Sequence, residues 1–82
     1  MSNHPGASGT CLTILRQELR NGLAFAALAR DAAWDAATRE QHRENAEIAY
    51  TTALRLVATL LMSEAEMREI TTELARLRDA LE

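Results

Sequence analysis

His42 has the greatest capacity for chemistry in this chain, because Glu40, Glu44 and Glu47 surround it in sequence. Metal sites in helical bundles present Glu-x-x-His pairs from more than one helix. Neither that spacing nor His-x-x-x-His occurs here, and no second histidine lies in a predicted helix. Because a metal site needs three or four ligands, we expect His42 to be a surface or rim residue and we expect no metal.

Cys11 is the second candidate for chemistry, since a thiol near a helix N-terminus is more easily ionised. A nucleophile also needs a base within reach, and no candidate lies nearby in sequence. Glu64, Glu66, Glu69 and Glu73 are spaced as a solvated helix face. The chain has no glycine-rich phosphate loop and no Ser-His-Asp set. We therefore expect no catalytic residue and no cofactor.

The composition indicates an all-α protein. The 82 residues, enough for one domain, include 16 alanines and 12 leucines but one valine and three isoleucines. Alanine, leucine, arginine and glutamate favour helices, whereas β-branched and aromatic residues favour strands. The only proline and two of the three glycines lie in the first nine residues, so nothing after Gly22 breaks a helix through backbone chemistry.

The charge and the distribution of apolar residues argue against several classes of protein. Nine arginines, no lysine and a net charge of −3 argue against nucleic-acid binding; arginine without lysine is typical of a GC-rich, bacterial-type genome. A lone cysteine cannot form an intramolecular disulfide. No apolar run approaches the ~18–20 residues of a membrane span, and the N-terminus lacks signal-peptide features. We expect a cytoplasmic protein with no membrane or nucleic-acid partner.

Residues 1–9 are small, polar and rich in helix breakers, so we expect a disordered tail there. Helix 1 is predicted over residues 10–33, with Thr10 as N-cap. Its apolar residues recur at steps of three and four and form one stripe. The stripe consists of Leu12, Leu15, Leu19, Leu23 and Ala26.

Helix 2 is predicted over residues 38–61. Thr38 with Gln41 fits a capping box, and Asp35 is the alternative cap. Because no glycine or proline enforces the turn, fusion of helices 1 and 2 into one rod stays open. The predicted buried stripe consists of Ala46, Ala49, Tyr50, Ala53, Leu54, Val57, Leu60 and Leu61.

Helix 3 is predicted over residues 64–82, after a capping box of Ser63 and Glu66. Its apolar residues form a narrow seam: Met67, Ile70, Leu74, Leu77 and Leu81. Short connections make neighbouring helices antiparallel. The predicted fold is a three-helix, antiparallel, up-down-up bundle with a long helix 1–helix 2 hairpin.

Phe25, Trp34 and Ile48 form the candidate interaction surface. Trp34 falls in the predicted turn, where its ring either plugs the open end of the bundle or stays exposed as a binding hot spot. Ile48 lies about two residues out of phase with the stripe of helix 2. A patch that joins Ile48 to Phe25 or Trp34 would indicate a docking surface.

The first two predicted helices resemble a tetratricopeptide-type hairpin. Gly22-x-x-Phe25 is similar to the small residue and aromatic of that repeat's first helix, and residues 46–54, with Tyr50, match its A-x-x-x-F-x-x-A second helix. The long arms are more similar to microtubule-interacting and trafficking domains. The resemblance implies a helical scaffold that binds peptides or partner helices, and it assigns no residues.

We expect a non-catalytic interaction module whose partner is another protein or a second copy of the chain. Helix 1 is apolar all round over residues 22–29, which requires cover on more than one face. The alternative is a small enzyme with its site at a dimer interface, similar to all-helical chorismate mutases. Arg16, Arg30 and Arg39 would supply its cations, but such enzymes also use lysine. A DNA-binding domain is disfavoured by the acidic charge.

Overall fold

In the computed structural model, which describes residues 4–82 and their side chains from residue 10 onward, the chain forms three helices. They are α1 (His4–Ala29), α2 (Ala36–Thr59) and α3 (Glu64–Leu81). α1 packs most extensively on α2, and α3 lies against both. Arg16 pairs with Glu69, and further along both segments Arg30 donates to the carbonyl of Ala80, so α1 and α3 run in the same direction. The predicted all-α, up-down-up bundle with a long hairpin is confirmed.

α1 begins six residues before the predicted start, so the backbone from His4 to Gly9 is helical where we expected a disordered tail. Thr10 lies inside the helix and is not its N-cap. Pro5 is compatible with the first turn of a helix, because the amide hydrogen that proline lacks has no intrahelical acceptor there. Residues 1–3 of the predicted tail lie outside the described residues.

α1 and α2 are separate helices joined by residues 30–35, so the fused-rod alternative is wrong. Two aspartates build this turn without glycine or proline. Asp31 Oδ1 accepts the N–H of Ala33 at 2.9 Å, and Asp35 Oδ1 accepts the N–H of Thr38 at 2.7 Å. Asp35, the alternative cap, is the N-cap of α2. The predicted Thr38 cap is wrong, because Thr38 donates to the cap.

The connection between α2 and α3 contains the capping box that the sequence predicted. Ser63 is the N-cap of α3, and its Oγ accepts the N–H of Glu66 at 3.1 Å. Glu66 Oε1 accepts the Ser63 N–H in return, at 2.9 Å. The predicted capping box is therefore confirmed. It stops α2 from running into α3, since Ser63 must adopt an extended backbone to cap the next helix.

The core is narrow and rich in alanine. Small side chains on α2 let α1 approach closely, and Gly22 of α1 lies against Leu77 and Ala49. The eight buried apolar residues are Leu15, Leu19, Ala26, Ala46, Ala49, Ala53, Ile70 and Leu77. All eight belong to the predicted stripes, so the inward faces of the three helices are confirmed.

The stripes are not buried along their whole length. α2 ends at Thr59, so Leu61 projects from the loop and is 97% exposed instead of lying on a helix face. Leu54 and Met67, which we also expected inside, are partly exposed. Of the three pairs of helices, α2 and α3 contact each other least extensively. Their interface is therefore too small to cover all the apolar residues of the predicted stripes.

The bundle is elongated, with principal extents of 51 × 22 × 16 Å. Its radius of gyration is 14.4 Å, whereas a compact domain of this length has about 12 Å. The accessible surface is 5451 Å², against ~4,900 Å² expected for a compact monomer of this mass. The three helices therefore bury less surface among themselves than a typical domain does.

Candidate functional site

An aromatic cluster occupies the end of the bundle where α1 turns into α2. The imidazole of His42 stacks on Phe25, with ring centroids 6.1 Å apart. The indole of Trp34 also packs on His42, edge-on, with ring centroids 5.4 Å apart. Both His42 nitrogens are shielded from solvent and, among the described residues, neither has a hydrogen-bond partner.

Of the two expected positions for His42, surface or rim, the structure shows the rim, because the residue is half-buried and Trp34 packs on its ring. His42 lies on the same side of α2 as buried Ala46 and Ala49, so it continues the inward stripe. Trp34 combines the two predicted roles, since its ring packs on His42 while 42% of the residue stays exposed.

Two of the three candidate interaction residues come together and the third does not. Phe25 and Trp34 both contact His42. Ile48 is 63% exposed on the outer face of α2, beside Glu44 and Arg55. Because Ile48 is six residues from His42, it lies about 120° away around the helix. The structure therefore places Ile48 outside the aromatic cluster.

A second feature at the same end is a cavity of about 360 Å³, here called the turn-end cavity. Three arginines line it, two on α2 and one in the α1–α2 turn: Arg39, Arg43 and Arg30. Nη2 of Arg30 donates to the carbonyl of Ala80 at 2.9 Å, and Nη2 of Arg43 donates to that of Leu81 at 2.6 Å. These bonds satisfy carbonyl groups that the last turn of α3 leaves without intrahelical partners.

Arg16 does not belong to the turn-end cavity. It lines a separate groove between α1 and α3, where its Nη2 pairs with Glu69 Oε1 at 3.1 Å. The three arginines named for an enzyme-like site are therefore divided between two places, with only Arg30 and Arg39 together. The sequence analysis did not include Arg43 with Arg30 and Arg39. Its position four residues after Arg39 nevertheless indicates that both arginines lie on the same face of α2.

Other candidates for chemistry are dispersed. Cys11 is a half-buried free thiol two turns inside α1, so it lies away from the helix N-terminus. Within the described residues, no three histidine, cysteine, aspartate or glutamate side chains converge as a metal-ligand set.

A third feature lies at the opposite end of the bundle and is here called the loop-end patch: Leu54, Leu61 and Met67. Leu61 projects from the α2–α3 loop, whereas Leu54 lies on α2 and Met67 on α3, both exposed. The register that brings Arg43 to Leu81 places Leu54 and Met67 at levels along the bundle that differ by about one helical turn. The patch is thus formed by three neighbouring segments of the chain.

Unpaired charges of both signs flank the loop-end patch. Glu64 precedes Met67 by three residues and Arg68 follows it directly, while Arg55 follows Leu54. Glu64 and Arg68 have the spacing of an ion pair within one helix. In the part of the chain that the structure describes, none of these three side chains takes part in an ion pair.

No helix in the described part of the chain combines the length and apolarity needed to cross a bilayer. No protein-family model, curated protein or solved structure gives a significant match to this chain. The resemblance to tetratricopeptide and microtubule-interacting and trafficking hairpins thus stays a prediction.

Proposed function

We propose that this chain is a non-catalytic helical module that forms a homodimer through the loop-end patch. The observation that carries the proposal is the exposure of Leu54, Leu61 and Met67, three members of otherwise buried stripes, at one end of the bundle. Scattered apolar residues on a surface are ordinary, whereas contiguous ones favour association. A second copy is the committed partner.

The thin core supports the proposal. Half of the buried apolar residues are alanines, which contribute little apolar surface each. Small domains of this kind gain stability from oligomerisation. The accessible surface exceeds the compact-monomer value by roughly a tenth, and that excess is comparable in size to one partner's share of a small interface.

The flanking charges favour a second copy over an unrelated partner. A two-fold interface places the same surface on both sides, so it must be self-complementary. Glu64 and Arg68 supply both signs next to the patch and have no partner within the described chain. In a two-fold dimer, Glu64 of one copy pairs with Arg68 of the other. Such pairs select the partner more than they add affinity.

The proposal is tested by the mass of the protein in solution, measured by light scattering and sedimentation equilibrium from 1 μM to 1 mM. The expected mass is about 18 kDa, twice the 9.1 kDa of one chain. Leu61→Glu is the matching variant, because a residue that is 97% exposed in a loop contributes little to the monomer fold. It is expected to weaken the dimer at least tenfold.

Ile48→Glu is the matched control, since it places the same charge at an exposed apolar position on the outer face of α2. It is expected to leave the dissociation constant unchanged. A 9.1 kDa species at every concentration, or a dimer that Ile48→Glu disrupts and Leu61→Glu does not, would overturn the proposal.

A further inference from the structure

The guanidinium of Arg39 differs from its neighbours in the turn-end cavity. Arg30 and Arg43 both donate to carbonyls at the end of α3. Within the described residues, the Nε–H of Arg39 is shielded from solvent and has no hydrogen-bond partner. Because solvent does not reach this Nε, a ligand would bind the two Nη groups of Arg39, which take part in no ion pair among the described residues.

We propose that the turn-end cavity binds a small oxyanion, a carboxylate or a phosphate, through Arg39 together with remaining N–H groups of Arg30 and Arg43. Each guanidinium carries five donors in a planar fork that matches two oxygens of such a group. Only one donor of Arg30 is used by the carbonyl of Ala80. Arg43 retains donors beyond its bonds to Leu81 and Glu47.

The electrostatics of the cavity favour a ligand of low negative charge. Three arginines line it, together with the side-chain carboxylates of Glu40 and Glu82. Ala36, the first residue of α2, also lines the wall, so the positive end of the α2 dipole faces this side. The opposing negative end of α3 is offset by Arg30 and Arg43.

The size and position of the cavity limit the ligand. A volume of about 360 Å³ lies at the lower end of the range for small-molecule sites. The lining includes alanine and leucine as well as charged groups, so a short apolar segment beside the oxyanion is accommodated. The cavity lies at the end opposite the loop-end patch, so this proposal does not depend on dimer formation.

The test is a titration of the full chain with inorganic phosphate and, separately, with succinate, followed by amide and arginine Nε–H chemical shifts at constant ionic strength. Saturable shifts are expected for Arg39 Nε–H and for amides of residues 36–43 and 80–82, with millimolar dissociation constants. Saturation by phosphate alone assigns a phosphate ligand, and saturation by succinate assigns a carboxylate.

Arg39→Gln is expected to weaken binding at least tenfold, and Arg39→Lys, which keeps the charge but loses the fork, to weaken it less. Arg55→Gln is the control, since Arg55 is exposed on the outer face of α2 and its loss changes the net charge equally. Shifts that stay linear with both anions in the wild-type chain would refute the site. Equal binding by Arg39→Gln, or an equal loss in Arg55→Gln, would refute it as well.

Discussion

Replacing Gly22 by alanine tests how closely α1 packs on both of its neighbours. A Cβ atom at this position would lie 2.6 Å from Leu77 Cδ2 and 3.2 Å from Ala49 Cβ, whereas carbon atoms prefer 3.5–4.0 Å. Leu77 is fully buried, so its methyl groups have little room to move. Overpacking of this kind costs about 1–3 kcal/mol.

The alanine also favours the helix by about 1 kcal/mol relative to glycine. The two terms leave a net destabilisation of about 1 kcal/mol, which corresponds to a decrease in Tm of about 4–8 °C for a domain of this size. Urea unfolding followed by circular dichroism, at one fixed protein concentration, measures the change in the free energy of unfolding.

Two further variants separate the packing term from helix preference. Ala24→Gly, on the exposed side of α1, measures helix preference alone and is expected to cost about 1 kcal/mol. Leu77→Val removes both δ-methyl groups, so in that background Gly22→Ala is expected to become neutral or stabilising. If Gly22→Ala stabilises the wild-type chain as much as Ala24→Gly destabilises it, close approach does not explain the glycine.

Three predictions concern caps and charges. Ser63→Ala is expected to lower the free energy of unfolding by about 1 kcal/mol, measured by urea unfolding; no change would mean that the capping box with Glu66 is dispensable. The pKa of Asp35 lies below its ordinary value of 3.8, because the backbone N–H of Thr38, then its hydroxyl and the nearby charge of Arg39 stabilise the carboxylate. A lowered pKa stabilises the fold above the unfolded-state value, and this stability is lost as the pH falls through the folded-state value. The difference in unfolding free energy between wild type and Asp35→Asn should therefore change only at acid pH, below about 4. A difference that is flat from pH 2 to 7 contradicts this. Arg16→Gln, which removes the half-exposed pair with Glu69, should cost under about 1 kcal/mol and less at high salt; a loss above 2 kcal/mol would show that the pair is not screened.

The inward faces of the helices were readable from the sequence, because apolar spacing of three and four residues can be buried in only one way on a helix. Leu15, Leu19, Ile70 and Leu77 are fully or nearly fully buried, as their spacing predicted. The α3 start at Ser63 was also readable, since a capping box is a local interaction between residues three apart.

The α1–α2 turn was readable only in part. Asp35 and Thr38 were both plausible caps, and the choice depends on the backbone conformation of residues 30–35. Once Asp31 accepts the N–H of Ala33, the chain is already turning, so α2 begins before Thr38. The helical start of α1 at His4 differs from the predicted tail, because proline disfavours the interior of a helix but is tolerated in its first turn.

The sequence by itself determined an all-α fold, three helices and the faces that they bury, because these depend on residue type and local spacing. Only the tertiary structure decided which residues of the apolar stripes remain exposed and which side chains cover His42. It also decided why position 22 is a glycine. Those features depend on how closely whole helices approach one another. Trp34 reaches His42 through a turn, and Arg30 and Arg43 meet the end of α3 from distant parts of the chain. The residues in these contacts are not related by the helical repeat of three to four residues, so no periodic pattern in the sequence predicts them.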